Sequence, residues 1–316
     1  MAQRTDFTFV SNDRETNIHA VKWMPDSGNY NAVLQLTHGM VEYIDRYVPF
    51  AEFMADNGFL VVGHDHLGHG QSAAVRSDLG YFAEGRGDVM LVEDMHKLRL
   101  ITQEDPETAS LPYFMLGHSM GSYLLREYLS SYGEGLAGAI IMGTGYAPAS
   151  TSKTAITMCK LLAHIHGWRY RSKFIQNLTY SKPYKKYDLT GADLNNSWLG
   201  KDPQIIDKYM HDPFCTYVFT LNGYRGLFES VLFSCDQKNI DLIPKDLPVL
   251  IVSGADDPVG DMGDGVRHVF EQYKKAGISD VSMKLYEGDR HEILNELDKD
   301  VVFADLLEWI RSRQQG

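Results

Sequence analysis

The feature of the sequence that most restricts its fold is a strand, a tight turn and a helix in direct succession. Residues 112–116 form a short apolar run typical of a buried strand, and apolar side chains recur at helical spacing from 125 to 132. Between them, residues 117–121 read Gly-His-Ser-Met-Gly. The two glycines suit a turn that leaves no room for side chains and lifts Ser119 clear of the sheet. This turn places the Met120 N–H at a helix N-terminus, where a developing negative charge is stabilised.

Apolar runs and helical stripes alternate along most of the chain. Residues 7–10 and 18–23 alternate apolar and polar side chains, which predicts a hairpin. Further strands are predicted at 32–36, 59–63, 112–116, 136–142, 247–254 and 281–286, with helices between them. Alternation of this kind predicts the α/β class, with a mostly parallel sheet that is flanked by helices on both faces.

The alternation is interrupted between residues 147 and 236, which hold no convincing strand. An amphipathic helix is predicted there by apolar residues at helical spacing, namely Met158, Leu161, Leu162 and Ile165. A helical insertion between two sheet strands is the arrangement expected of a cap. We therefore predict three segments: a first core part (1–146), a helical cap (147–236) and a second core part (237–316).

The composition excludes several classes of protein. The formal net charge of −12 argues against a nucleic-acid-binding surface. The first residues contain no apolar segment of a secretory signal, and no apolar run approaches the length of a membrane span. The three cysteines, Cys159, Cys215 and Cys235, form no Cys-x-x-Cys pair, and one would be left over from any disulfide. We therefore expect a cytoplasmic protein with reduced thiols.

The partners that a nucleophilic serine needs follow the ends of other predicted strands. A Gly-x-Ser-x-Gly pattern also arises by chance, so it assigns chemistry only together with a base, an acid and a second oxyanion donor. Met40 follows the strand at 32–36, and its N–H is the natural second donor. Either Asp256 or Asp257 is the acid after the strand at 247–254, and His291 follows the last strand. Ligands bind beyond the carboxyl ends of parallel strands, so these groups are expected to meet.

The chain resembles α/β-hydrolases of the monoacylglycerol lipase and lysophospholipase type, a group also called serine aminopeptidase S33-like or hydrolase-4. The resemblance covers nearly the whole length and rests on five motifs, at residues 38–47, 65–72, 117–121, 254–259 and 290–292. It implies the α/β-hydrolase fold, in which the order along the chain is serine, aspartate, histidine. The family pattern Gly-x-x-Asp places the acid at Asp257 rather than Asp256. The cap matches weakly, so the resemblance supports ester hydrolysis better than any one ester.

These residues predict catalysis without a cofactor. Ser119 attacks an acyl carbonyl, His291 takes the serine proton, and Asp257 orients the imidazole. The N–H groups of Met40 and Met120 hold the oxyanion. We expect the substrate to be an acyl ester of a small amphiphile, such as a monoacylglycerol or a lysophospholipid, because an aromatic-lined cap suits a long acyl chain. The side chains expected to bind it are Tyr146, Leu162, Ile165, Phe214, Tyr217 and Tyr224.

Three other functions stay open on the sequence. The same triad serves a short-chain carboxylesterase or a peptidase-like amide hydrolase, and a non-catalytic binding relative would keep the fold. A metal-dependent hydrolase is the third, because His64, His66 and His69 resemble the His-x-His-x-Asp-His motif of metallo-β-lactamase-type enzymes. Gly68 stands where that motif has its aspartate. We therefore expect no metal, and we expect this loop to brace the active-site rim by hydrogen bonds.

Three further features are interpreted as structural. His118 is expected to pack behind the site, because neighbours on a tight turn point apart. Glu292 is expected to be a solvated carboxylate. The cap carries an excess of four positive charges, with basic and aromatic side chains mixed at 168–171 and 182–187. A solvated face is the simpler interpretation of this bias, and transient contact of the cap with an anionic lipid surface is the functional one.

Overall fold

A computed structural model describes residues 2–180 and 182–314 of the chain, and its centre is one eight-stranded sheet. The strands are β1 (Gln3–Val10), β2 (Asn17–Met24), β3 (Ala32–Thr37), β4 (Phe59–His64), β5 (Tyr113–His118), β6 (Gly138–Met142), β7 (Val249–Gly254) and β8 (Val281–Tyr286). Their order across the sheet is β1-β2-β4-β3-β5-β6-β7-β8. The pairs β1–β2 and β2–β4 are antiparallel, and all the other neighbouring pairs are parallel. The predicted hairpin and the mostly parallel sheet are therefore confirmed.

Helices cover both faces of this sheet. They are α1 (Val48–Asp56), α2 (Gly87–Glu104), α3 (Met120–Tyr132), α4 (Ala149–His166), α5 (Lys173–Thr179), α6 (Pro203–His211), α7 (Leu221–Ser234), α8 (Gln237–Ile240), α9 (Asp264–Lys275) and α10 (Lys299–Arg311). On one face Phe50 of α1 and Leu306 of α10 join a buried cluster, and on the other Met95 of α2, Leu125 of α3 and Val269 of α9 do so. Every residue of β3 to β7 is consequently buried, as parallel strands with two covered faces require.

The segment between β6 and β7 is helical, with α4 to α8 in succession. Its described residues contain no strand, and Asp188 and Ser197 form an isolated β-bridge. On α7, Tyr224 and Leu227 belong to the same buried cluster as residues of the sheet, so the insertion shares part of its core with the sheet. The cap boundaries 147–236 stay a prediction. The predicted segments also include residues 1, 181, 315 and 316, which lie outside the described residues.

The helix predicted from the stripe at 158–165 is α4, but it buries a different face. Its buried side chains are Ser152, Ile156, Cys159 and Ala163. Leu161 is 64% exposed and Ile165 is 73% exposed. The predicted helix is therefore present, but these two apolar residues of its stripe face solvent. The helix carries apolar residues on two faces, and packing against α7 selects the other one.

Two expectations drawn from composition bear on the structure. In the described ranges, no helix is both long enough and apolar enough to cross a membrane. Cys159, Cys215 and Cys235 are all free and buried, which agrees with the prediction of reduced thiols.

The carboxyl ends of β3, β5, β7 and β8 lie at one edge of the sheet, because these strands are parallel. The loops that leave this edge carry the residues described next.

Candidate active site

Ser119 lies in a sharp turn between β5 and α3. Its backbone has φ 54° and ψ −121°, a region that residues other than glycine seldom adopt. A Cβ built on Gly121 would lie 2.2 Å from the Thr37 carbonyl oxygen, and one on Gly117 would lie 2.3 Å from that of Gly121. Neither position therefore accepts a side chain. The strained serine between two obligatory glycines has the geometry of a nucleophile elbow.

The loop after β3 approaches this elbow closely. A Cβ on Gly39 would lie 2.8 Å from the Ser119 Cβ, so the Gly39 turn lies directly against the serine. Met40 follows in this turn, and Met120 is the first residue of α3, where an N–H has no acceptor within the helix. Val41 has φ 57°, a strained conformation for a β-branched residue. The two backbone segments predicted to supply oxyanion donors thus meet at Ser119.

Asp257 and His291 lie side by side and are buried. The imidazole Nδ1 donates a hydrogen bond to the Asp257 Oδ2 at 3.0 Å. The Ser253 hydroxyl donates to the same oxygen at 2.9 Å, and the Val259 N–H donates to Oδ1 at 2.8 Å. Burial by itself raises the pKa of Asp257, but the charge of His291 and these hydrogen bonds outweigh it and lower the pKa. The carboxylate is therefore ionised at neutral pH and accepts the imidazole N–H.

The alternative acid, Asp256, has a different environment. Its side chain is 52% exposed, and its carboxylate lies 4.0 Å from the Lys186 Nζ. Its backbone carbonyl accepts a hydrogen bond from the Tyr187 hydroxyl at 2.6 Å. Of the two aspartates, Asp257 is thus the one whose carboxylate meets the imidazole.

Glu42 is a buried carboxylate that joins the elbow to the Gly39 turn. Its Oε1 accepts hydrogen bonds from the Gly39 N–H at 2.5 Å, the Tyr47 hydroxyl at 3.0 Å and the His118 Nδ1 at 3.1 Å. The His118 Nε2 lies 3.2 Å from the carbonyl oxygen of His291 and donates to it. Burial lowers the pKa of His118, but the hydrogen bond and charge of Glu42 outweigh it and raise this pKa. His118 therefore packs behind the site as a partner of Glu42, as its position beside the serine predicted.

Glu292 corrects a prediction made from the sequence. It is only 4% exposed, and its two carboxylate oxygens accept hydrogen bonds from the two terminal nitrogens of Arg46, each at 2.6 Å. Arg46 also donates to Glu42 at 3.1 Å. The expectation of a solvated carboxylate was wrong because an arginine 246 residues earlier in the chain covers Glu292. A buried charge network is formed by Glu292, Arg46, Glu42 and His118. It connects the loop of the predicted base His291, here called the base loop, to the Gly39–Met40 turn predicted to supply an oxyanion donor, here called the oxyanion loop.

His64, His66 and His69 are wholly buried, and burial lowers the pKa of each so that the rings stay neutral. No group of three or more side chains suited to hold a metal occurs in the described ranges. The loop makes hydrogen bonds as predicted, since Asp65 accepts from two backbone N–H groups, one of them that of Ile44, each at 2.8 Å. The ring nitrogens of His64 and His66 have no hydrogen-bond partner in the described structure. The hydrogen bonds of the loop are therefore made by Asp65 rather than by the rings of His64 and His66.

Trp198, which sequence reasoning did not identify, contacts His291. Its indole stacks on the His291 imidazole with 5.0 Å between ring centroids and 30° between ring planes. Trp198 also lines a cavity of about 500 Å³ whose wall includes Val41, the neighbour of Met40. A cavity of this size is in the range of small-molecule sites. No spacing or periodicity around residue 198 marks this tryptophan in the sequence.

Two of the six side chains predicted to bind substrate border cavities. Tyr217 lines the 500 Å³ cavity beside Trp198. Phe214 packs against Tyr43 with 5.5 Å between ring centroids and lines a separate cavity of about 300 Å³. Tyr217 is consequently the one of the six that lines the cavity beside Trp198.

The other four lie elsewhere. Tyr224 of α7 is buried in the core that the insertion shares with the sheet, and Leu162 packs against the same cluster while partly exposed. Tyr146 stacks on His268 with 3.7 Å between ring centroids. Ile165 faces solvent on the outer side of α4. A substrate role is thus not supported for Ile165, since packing turns its helix face outward.

Comparison with known proteins extends these observations. A family model described as serine aminopeptidase, S33 (Hydrolase_4) matches residues 28–298. The monoacylglycerol lipase of Mycolicibacterium smegmatis is 28% identical over 291 residues, which cover 92% of this chain and 91% of that protein. The monoglyceride lipase of Homo sapiens is 25% identical over 299 residues, or 92% of this chain and 86% of that protein.

A solved structure is similar over the full length. The structure of a highly thermostable carboxyl esterase from Bacillus coagulans in complex with glycerol has a TM-score of 0.88 at 27% identity. The match covers 98% of this chain and 99% of that one. Since the family model spans most of the chain and the sheet has the predicted topology, the chain belongs to the serine aminopeptidase S33 (Hydrolase_4) family and is an α/β-hydrolase of the carboxylic ester hydrolase class.

Proposed function

We propose that the chain is a serine hydrolase that cleaves the acyl ester of a monoacylglycerol or a lysophospholipid-like amphiphile through an acyl-enzyme intermediate. The observation that carries this proposal is the buried Asp257–His291 hydrogen bond of 3.0 Å at the sheet edge that also presents the strained Ser119 elbow. The ring of His118, the residue before the serine, lies 4.7 Å from that of His291. The nucleophile and its base therefore belong to loops that touch.

The reaction proceeds by acyl transfer to the serine. The Ser119 Oγ bonds to the acyl carbonyl carbon while its proton passes to the His291 Nε2, and Asp257 stabilises the imidazolium through Nδ1. The Met40 and Met120 N–H groups donate to the oxyanion. When the intermediate collapses, the bond to the leaving alcohol breaks and the alcohol takes the proton from His291. Water then repeats the same steps on the acyl-enzyme and releases the fatty acid.

Ser119→Ala tests the nucleophile. We expect hydrolysis of a nitrophenyl acyl ester to fall by at least about 10⁴-fold, because a triad without its nucleophile keeps only binding and oxyanion stabilisation. The melting temperature is expected to change little, since Ser119 is partly exposed and alanine keeps its Cβ. A fluorophosphonate should label the wild type and not the variant. Near-normal turnover by the variant would refute the assignment, and an unlabelled, inactive wild type would favour the non-catalytic binding relative.

The choice of a long-chain amphiphile rests on the cavity beside Trp198. Its wall includes the apolar and aromatic side chains of Val41, Leu189, Ile206 and Tyr217. The relatives named as monoacylglycerol and monoglyceride lipases match this chain over nearly its whole length. A panel of esters varied in acyl length and head group measures the preference. The highest kcat/KM is expected for long-chain monoacylglycerols.

A carboxylesterase acting on short-chain esters is the second candidate. The similarity to the carboxyl esterase of Bacillus coagulans favours it. The same ester panel separates the two, because a short-chain esterase would lose kcat/KM as the acyl chain lengthens. A preference for short chains would replace the lipid substrate and keep the catalytic residues.

We also propose that the cap contacts an anionic lipid surface. Apolar side chains four residues apart are exposed on α4 and α5, and lysines on the same helices are exposed as well. These side chains are Leu161, Ile165, Phe174 and Leu178, with Lys153, Lys160 and Lys173. Apolar residues rimmed by lysine are typical of helices that lie on membranes. Sedimentation with anionic vesicles at low salt should carry the protein down, and an Ile165→Ser, Phe174→Ser variant should bind less. Absence of binding would refute this contact. Cytoplasmic location stays a prediction from the sequence.

A further inference from the structure

Residues 195–201, here called the clamp segment, connect the cap to the loop that carries the base. The His291 N–H donates to the Trp198 carbonyl oxygen at 3.4 Å, and the Glu292 N–H donates to that of Leu199 at 2.7 Å. The backbone of the base loop is thus hydrogen-bonded to the cap on both sides of the catalytic imidazole. A movement of the clamp segment would move His291 with it.

Charged side chains reinforce this connection. The Arg290 guanidinium donates to three carbonyl oxygens of the clamp segment, at 2.6, 3.0 and 3.2 Å. The Lys201 Nζ lies 2.6 Å from the wholly buried Asp289 carboxylate. The buried Glu296 accepts hydrogen bonds from the N–H groups of Arg290 at 2.8 Å and Lys201 at 2.9 Å. Separating the clamp segment from the base loop would remove the Lys201 contacts of these two buried carboxylates, which is costly.

The indole of Trp198 is itself held in place. Tyr184 contacts it edge-on with 5.2 Å between ring centroids, and the Tyr180 ring lies at 5.9 Å. The imidazole of His291 is stacked on it at 5.0 Å. The tryptophan therefore cannot rotate away from the base without displacing both tyrosines.

We propose that Trp198 is a positioning residue for His291, which holds the imidazole plane and offers a π face to the imidazolium that forms when the base takes the serine proton. A cation is attracted to the face of an indole more strongly than to other aromatic rings, and the attraction increases where water is excluded. This inference rests on the proposed function, because it assigns His291 the role of base. It makes the cap a contributor to the chemistry as well as to substrate choice.

Two titratable groups contact the His291 ring besides Trp198, and a third, Glu42, contacts one of them. Asp257 accepts from its Nδ1, and His118 lies behind it with 4.7 Å between ring centroids. Glu42 balances the charge of His118 through the 3.1 Å hydrogen bond. The Trp198 face is thus an apolar surface on a base that also contacts a carboxylate and a second imidazole.

The test compares Trp198→Leu and Trp198→Phe with Trp168→Leu. Trp168 is a matched control, because it is a partly buried cap tryptophan whose ring faces the Arg225 guanidinium at 5.2 Å. For Trp198→Leu we expect kcat to fall about 3- to 30-fold, with the acid limb of the kcat/KM profile displaced to lower pH. Trp198→Phe keeps an aromatic face, so its kcat and the position of its acid limb should lie between those of Trp198→Leu and the wild type. Trp168→Leu should leave the acid limb where it is.

A fluorescence titration provides a measurement that needs no turnover and no leucine variant. Protonated imidazole quenches indole emission on contact, so the emission difference between wild type and Trp198→Phe should fall as His291 is protonated. The fall should disappear in His291→Gln. An emission difference that does not change with pH, or an acid limb that Trp198→Leu leaves unmoved, would overturn the positioning role. Absence of ester hydrolysis by the wild type would instead overturn the proposed function, and the titration would still report the ring contact.

Discussion

Glu42→Gln is the perturbation that most directly tests how the oxyanion loop is held. The carboxylate accepts from the Gly39 N–H at 2.5 Å, the Tyr47 hydroxyl at 3.0 Å, His118 at 3.1 Å and Arg46 at 3.1 Å. A glutamine keeps the shape but carries no charge, and its amide nitrogen donates where Glu42 accepts. At least one buried donor therefore loses its acceptor in the variant.

The expected loss of unfolding free energy follows from the buried charges that lose a partner in the variant. Removing one partner of a buried ion pair costs about 3–5 kcal/mol. Arg46 keeps both hydrogen bonds to Glu292, so we expect the lower end, about 3 kcal/mol of unfolding free energy. For activity, we expect kcat to fall about 10- to 100-fold with little change in KM. This is less than the roughly 10²- to 10³-fold loss found when an oxyanion donor itself is removed.

The stability difference should also depend on pH. Burial raises the pKa of Glu42, but its hydrogen bond to His118 and the nearby cations lower it overall, whereas the pKa of His118 is raised. A lowered carboxylate pKa stabilises the fold above the unfolded value of about 4.3, and a raised histidine pKa stabilises it below about 6.5. Both contributions are present together between roughly pH 4.5 and 6.5. The difference between wild type and Glu42→Gln should be largest there and smaller at pH 9.

Denaturant unfolding and ester hydrolysis, measured on the same preparations, check these values. Glu292→Gln is the matched control, since it removes the same charge from the same network without touching Gly39 or His118. We expect it to lose stability comparably and to keep kcat within about five-fold, because the oxyanion loop is not among its contacts. Equal losses of kcat in the two variants would refute the idea that Glu42 acts through the Gly39 turn.

Three further predictions concern other parts of the chain. Asp257→Asn should lower kcat about 10⁴-fold by reversing the imidazole tautomer, while Asp256→Asn should stay near wild type, and a larger loss at Asp256 would exchange their roles. Gly121→Ala should prevent folding or cost several kcal/mol, because the added Cβ would lie 2.2 Å from a carbonyl oxygen, whereas Gly200→Ala, with 3.6 Å of space, should change the melting temperature little. Burial raises the pKa of Asp94 to about 6, so the contribution of Asp94 to stability should fall as the pH rises from about 4 to 6. Asp94→Asn should remove this fall and be the more stable protein at pH 8, and a parallel pH profile of the two proteins would contradict that.

Steric limits on the backbone and the periodicity of apolar residues account for what the sequence alone predicted correctly. Parallel strands buried on both faces must be continuous apolar runs, and the runs at 32–36, 59–63 and 112–116 correspond to β3, β4 and β5. The loops that hold Asp257 and His291 could be placed together without coordinates, because the carboxyl ends of parallel strands share one edge. The family pattern Gly-x-x-Asp then favoured Asp257 over Asp256 as the acid.

Contacts between distant residues were decided only by the tertiary structure. α4 has apolar side chains on two faces, so its periodicity could not say that Ile165 would face solvent. The burial of Glu292 depends on Arg46, and no local pattern records a partner 246 residues away. Trp198 meets His291 because an irregular cap segment is hydrogen-bonded to the base loop. An irregular segment has no periodic sequence pattern from which such a contact could be predicted. Sequence determines which elements form and which loops share an edge, whereas the pairing of buried charges and rings requires the packed geometry.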